Sequence, residues 1–138
     1  MVDNRTPDVR SRIMAAVRQK DTGPEMAVRR LLHRMGYRYG LHRRDLPGRP
    51  DLVFRSRRKV VFVHGCFWHG HDCRKGRLPT SRLDYWKEKI SKNVARDARN
   101  IRDLIGKGWE VCVVWECEIA HMDSLRQRLV SFLEGELS

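Results

Sequence analysis

Apolar residues recur at helical spacing in four stretches of the chain, with short apolar runs between them. Val9, Ile13, Met14 and Val17 follow Thr6-Pro7, an N-cap with proline at the first helical position, and predict a helix ending near Lys20. A second helix starts at Thr22-Gly23-Pro24-Glu25, a capping-box pattern that by itself accounts for Glu25, and Ala27, Val28, Leu31, Leu32 and Met35 form its stripe up to Gly36. Tyr37 to Leu41 predicts a short strand, and Leu46-Pro47-Gly48-Arg49-Pro50 a turn. Asp51 to Phe54 and Lys59 to His64 predict two strands joined as a hairpin by the basic turn Arg55 to Arg58.

Ser81 is placed to cap a long helix in which Leu83, Trp86, Ile90, Val94, Ile101, Leu104 and Ile105 share about a third of the circumference. Gly106 and Gly108 end it. Trp109 to Trp115 reads as a strand buried on both faces, and the long crossover helix before it makes it parallel to its neighbour. A helix from Ser124 to Leu133 closes the chain. The order of elements predicts one α/β domain over residues 1–138, a small mixed sheet flanked by helices.

Between Gly65 and Pro79 the period disappears, so a hydrophobic core alone cannot order that loop. Cys66, His69, His71 and Cys73 fall within it, and Cys117 stands just beyond the last strand. Zinc takes four nitrogen or sulfur ligands in a tetrahedron. Cys66, His71 and Cys73 supply three, and by spacing either Cys117 or His69 completes the set. Cys112, inside the run Val111 to Val114, reads instead as a small buried apolar residue. The N-terminus lacks the apolar core of a secretion signal, so export is not expected and the four cysteines point to metal rather than disulfides. His64 and His69 are also candidates for acid–base chemistry, because neutral imidazole suits a general base near pH 7.

The chain has 138 residues and a formal charge of +12. Such an excess destabilises a small compact domain unless a polyanion offsets it, which makes nucleic acid the leading partner. Lys and Arg outnumber Asp and Glu by 16 to 6 over residues 1–60 and by only 13 to 11 over residues 61–138, so the N-terminal part is expected to carry much of the phosphate contact. The longest apolar run is the five residues from Val111 to Trp115, too short to span a membrane.

In so basic a chain the acids at turns and on apolar faces stand out. Asp51 begins a strand paired with the one ending in His64, so the two lie at one end of the sheet, where a divalent cation could meet a phosphate. On the long helix Lys89, Asn93 and Asp97 stack at intervals of four. Asp97 falls inside the apolar arc, where a carboxylate needs a partner, either a basic side chain or the water shell of a metal on Asp51. Phe67-Trp68 in the loop and Trp86 beyond it suit either insertion between base pairs or a satellite core over the metal.

Taken together, Pro47-Gly48-Arg49-Pro50-Asp51, Val63-His64-Gly65-Cys66-Phe67-Trp68-His69, His71 and Cys73, Tyr85-Trp86-Lys87-Glu88-Lys89-Ile90, Lys92-Asn93-Val94, Arg96-Asp97 and Val114-Trp115-Glu116-Cys117 closely resemble the very short patch repair (Vsr) DNA mismatch endonucleases. The resemblance runs from about Ser11 to Cys117. It implies a restriction-endonuclease-like fold with a zinc-stapled loop over residues 65–80, and a helix within residues 1–20 that contacts DNA. It implies a Mg²⁺-dependent enzyme that nicks 5′ to the T of T:G mismatches left by deaminated 5-methylcytosine. Asp51 and the Val63 main chain would bind magnesium, Glu25, Asn93 and Asp97 would hold its water shell, and His69 would be the general base with His64 assisting. Zinc would be held by Cys66, His71, Cys73 and Cys117. Phe67, Trp68 and Trp86 would intercalate, with Met14 and Lys89 near the mismatched pair. The implied setting is bacterial cytoplasm, at the nucleoid when acting, as a monomer with mismatch-repair proteins as further partners. The chain departs from the family pattern at Val63, where a threonine is familiar, and at Gly70 and Asp72, which interrupt a more His-rich tract.

Overall fold

The computed structural model describes residues 21–135. The helix expected within residues 6–20, Met14 included, lies outside them. Within them the order is α1 (Gly23–Arg34), β1 (Gly40–Leu41), β2 (Leu52–Phe54), β3 (Lys59–His64), a 3₁₀ turn (Arg74–Gly76), α2 (Leu83–Gly106), β4 (Glu110–Trp115), a second 3₁₀ turn (Glu116–His121) and α3 (Met122–Leu133). The four strands form one sheet in the order β1-β2-β3-β4. The first two pairings are antiparallel, and β3 runs parallel to β4, as the crossover through α2 requires.

Strand alternation divides the apolar residues between two layers. Leu52, Phe54, Val61, Cys112 and Val114 face one side, where they pack on Val28, Leu31 and Leu32 of α1 and Leu125, Leu129 and Leu133 of α3. Val53, Val60 and Phe62 face the other side and meet Leu104 of α2 and Trp109. The sheet is therefore covered on both faces, which is why β2, β3 and β4 read as near-continuous apolar runs.

Several boundaries differ from the sequence reading, among them β2, which begins at Leu52 rather than Asp51. Only Gly40–Leu41 of the expected Tyr37–Leu41 strand pairs, since the Tyr37 N–H turns back to the Leu32 carbonyl at 3.0 Å to close α1, while the Tyr37 and Tyr39 rings meet Phe54 edge-on. The long helix begins at Leu83 without a cap from Ser81. Arg82 stands before it in the left-handed region (φ 55°), its carbonyl accepts from the Trp86 N–H, and its guanidinium lies 4.7 Å from the Tyr85 ring. Trp109 stays outside β4, since its N–H turns back to the Leu104 carbonyl to close α2. The last helix starts at Met122 rather than Ser124, as a continuation of the preceding 3₁₀ turn. Among the described residues no helix is long and apolar enough to cross a membrane.

Candidate active site

The parallel pairing of β3 and β4 builds the site. His64 lies opposite Trp115, so the residues that follow each strand leave the sheet at the same edge. Two positions further on, Cys66 and Cys117 become neighbours although they are far apart along the chain. The Cys66 N–H donates to Glu116 Oε1 at 3.3 Å. Arg128 of α3 donates to Glu118 at 2.7 Å and to the Val113 carbonyl at 2.8 Å, which ties the Cys117 turn to the body of the domain.

The ligand atoms of Cys66, His71, Cys73 and Cys117 all lie within 4.8 Å of one another, with Cys117 Sγ 3.6 Å from His71 Nδ1. Three thiols and one imidazole at that spacing fit a tetrahedral zinc ion, whose bonds of about 2.0–2.3 Å put its ligands roughly 3.5–4 Å apart. Glycine makes the loop possible. A Cβ on Gly76 would stand 2.0 Å from the His71 carbonyl oxygen, and one on Gly70, at φ +66°, would strike Val94 and Ile90 of α2. His69, the alternative fourth ligand by spacing, points elsewhere and groups with His64 and Asp97.

His69 Nδ1 meets Asp97 Oδ2 at 2.6 Å, and its ring stacks on His64 with centroids 3.8 Å apart and planes within 4°. Asp97 thus has the partner its place on the apolar arc demanded, and that partner is the histidine itself. Burial pushes the Asp97 carboxyl up, but the hydrogen bond and electrostatic pull of His69 outweigh it and hold the group below the ordinary carboxylate range. His64 is buried, and burial, reinforced by His69, lowers it to about 4, so it is neutral at physiological pH. Asn93, one turn before Asp97, donates to the Trp68 carbonyl at 2.9 Å and fastens the loop to α2.

Asp51 stands just before β2, and its Oδ2 accepts the Val63 N–H at 2.7 Å, which extends the ladder by one side chain. Burial, with a further push from Glu25, raises its carboxyl to about 7, despite the opposing Val63 hydrogen bond. A largely buried carboxylate at the end of a strand suits a hard cation such as Mg²⁺.

Glu25 is only 1% exposed, and the cap accounts for just part of its surroundings. Thr22 Oγ1 accepts from the Glu25 N–H at 3.3 Å as the pattern requires, whereas Glu25 Oε1 accepts from the Asp21 N–H at 3.0 Å. Its Oε2 meets His42 Nε2 at 2.7 Å and Arg29 Nη1 at 3.5 Å. His42, which sequence reasoning missed, is also 3.9 Å from Asp51 Oδ1. A contiguous line of groups therefore runs Glu25, His42, Asp51, Val63, His64, His69, Asp97. The one sequence signal for His42 was a polar residue between the apolar Leu41 and a basic turn, too common to single it out.

Phe67, Trp68 and Trp86 are gathered, with centroids 5.2 to 5.9 Å apart in edge-to-face contacts. Trp86 is 5% exposed and forms the floor of the group, while Phe67 and Trp68 are half-buried. Lys89 is exposed on α2.

A mixed sheet clad by helices on both faces, with acids and histidines collected where its parallel pair ends, is the layout of the restriction-endonuclease-like class. A family model described as DNA mismatch endonuclease Vsr matches residues 2–75. The type II nicking enzyme V.XorIIP of Xanthomonas oryzae pv. oryzae is 57% identical, over 97% of this chain and 98% of its own length. The type II nicking enzyme V.NmeAIP of Neisseria meningitidis is 44% identical over 94% and 92%, and the DNA mismatch endonuclease Vsr of Escherichia coli 40% over 99% and 90%. The chain belongs to the Vsr family of DNA mismatch endonucleases, and it is an endonuclease.

Proposed function

We propose that the protein nicks one strand of duplex DNA 5′ to the T of a T:G mismatch, in a Mg²⁺-dependent hydrolysis. The observation that carries the reading is the hydrogen bond between His69 Nδ1 and Asp97. With Nδ1–H given to the carboxylate, Nε2 keeps its lone pair and can take the proton of an attacking water. Asp97 fixes the tautomer and steadies the imidazolium that forms. His64, stacked beside it and neutral, holds the ring plane without adding positive charge.

Asp51 and the Val63 main chain would hold the magnesium, and Glu25, Asn93 and Asp97 its water shell. When bound, that ion supplies charge stabilisation to the phosphate and to the departing oxygen. Asn93 is already fixed by its Nδ2, which leaves its side-chain oxygen to face such a shell. Zinc on Cys66, His71, Cys73 and Cys117 would order the loop that carries His69 and the aromatic residues. Phe67 and Trp68, backed by Trp86, would wedge into the duplex, where unstacking costs about a few kcal/mol per step and is repaid by stacking and by a bent duplex that contacts more protein. Lys89 and Met14 would lie near the mismatched pair. The setting is the bacterial nucleoid, with mismatch-repair proteins as further partners and the monomer as the acting form.

The test is cleavage of end-labelled duplexes carrying a single T:G pair or its matched T:A control, in several flanking contexts, with and without Mg²⁺. A Mg²⁺-dependent nick 5′ to the mispaired T is expected. Tight binding with no nick in any context would instead make the protein a recognition module.

A further inference from the structure

His42 occupies a position that the hydrolytic chemistry does not use. It follows β1, and its backbone lies in the left-handed region (φ 47°), which side chains other than glycine adopt at a cost and which often marks a functional site. Two contacts hold it there. Its N–H donates to the Asp51 carbonyl at 3.2 Å, and its Nε2 meets Glu25 Oε2 at 2.7 Å. The same Nε2 lies 3.9 Å from Asp51 Oδ1. His42 thereby touches both acids at once and joins the start of α1 to the start of β2.

Glu25 needs such a tether to face Asp51. Its Oε1 is committed to the Asp21 N–H at the helix cap, and Arg29 reaches Oε2 only at 3.5 Å from within the same helix. Both contacts belong to the local α1 region. The short contact at Oε2 comes from the ring of His42, whose backbone is pinned to Asp51 itself.

We infer that His42 is a positioning residue for the cation site: it holds the Glu25 carboxylate on the side of Asp51, so that Glu25 faces the water shell of a divalent ion bound by Asp51. The inference rests on the reading of Asp51 as the magnesium ligand and of Glu25 as a holder of its water shell. Residues that orient a metal's ligands or its water shell typically change affinity by about 10–100-fold when removed. His42 acts through Glu25 and takes no part in the proton transfer.

The experiment measures divalent-ion binding directly, by titrating Mn²⁺ into the zinc-loaded, DNA-free protein and following free Mn²⁺ by electron paramagnetic resonance. His42→Gly removes the ring and relieves the backbone, His42→Gln restores a donor that can reach Glu25, and Asp51→Ala is the reference for a lost site. His42→Gly should weaken Mn²⁺ binding about tenfold, and His42→Gln should stay within about twofold of the parent, as expected of an orienting donor. In nicking assays His42→Gly should raise the Mg²⁺ concentration for half-maximal rate while leaving the rate at saturating Mg²⁺ near that of the parent. Unchanged Mn²⁺ affinity in His42→Gly, with Asp51→Ala impaired, would overturn the role of His42 alone. Unchanged affinity in Asp51→Ala would overturn the metal-site reading on which it rests. Loss of binding in His42→Gln as severe as in His42→Gly would show His42 to be a direct ligand, which also overturns positioning.

Discussion

At the scale of single residues, the site depends on pairs in which each member corrects the other's cost. A carboxylate on the apolar arc of α2 is unfavourable alone, and an imidazole alone has no fixed tautomer. Together, at 2.6 Å, Asp97 and His69 satisfy both requirements. His69→Ala should lower the nicking rate by about 10²–10⁴-fold, the usual contribution of a positioned general base. Zinc content and mismatch binding should be retained, and a loss of zinc would count against this assignment, since His69 stands apart from the thiol cluster.

Asp97 also makes a pH prediction. Its carboxyl is held below the ordinary range in the folded state, so the unfolded chain takes up the proton first as the solution is acidified. The stabilisation is fully present above the ordinary carboxyl value of about 4 and is lost as pH falls through the depressed native one. Urea denaturation of the parent and of Asp97→Asn should therefore show an advantage for the parent at pH 7 that shrinks below about pH 4. Parallel pH curves for the two proteins would remove Asp97 from the acid-sensitive groups.

At the scale of elements, the loop after β3 is held by its ends and by its glycines. Gly76 leaves no room for a Cβ against the His71 carbonyl, and because the obstacle is main chain it cannot swing away. Gly76→Ala should displace His71 from the cluster, and metal analysis of the purified variant should show substoichiometric zinc with a lowered Tm. On the other face of the sheet, Leu104 is fully buried at the centre of the smaller core. Leu104→Ala should cost about 2–5 kcal/mol, read as a lower urea midpoint. Full zinc occupancy is expected at neutral pH, because Leu104 lies on the last turns of α2, away from the loop.

At the scale of the whole molecule, the net charge of +12 acts over a longer range than any single contact. Binding to any duplex should fall steeply with salt, by a slope of about −0.9 in log–log form per phosphate neutralised. On the proposed function, preference for T:G over T:A should persist across the series, because phosphate contacts position a protein on duplex DNA while base contacts discriminate. A salt-independent affinity would mean that the basic excess does not face the nucleic acid.

Local spacing along the chain carried a great deal of this protein. Among the described residues the period of the apolar positions determined the helices and strands to within a few positions, the long crossover determined the parallel pair, and the Cys/His spacing determined most of the thiol–imidazole cluster. These are short-range properties, set by the 3.6-residue helical turn and the two-residue pleat. Tertiary structure decided what those rules cannot reach. It chose Cys117 over His69 as the fourth member of the cluster, because parallel strands end side by side. It gave Asp97 a partner 28 residues away and brought His42 between Glu25 and Asp51. Each of these pairings is a meeting of distant segments, driven by burial of the sheet between its helices, and it exists only once that burial has fixed where the strand ends and helix starts lie.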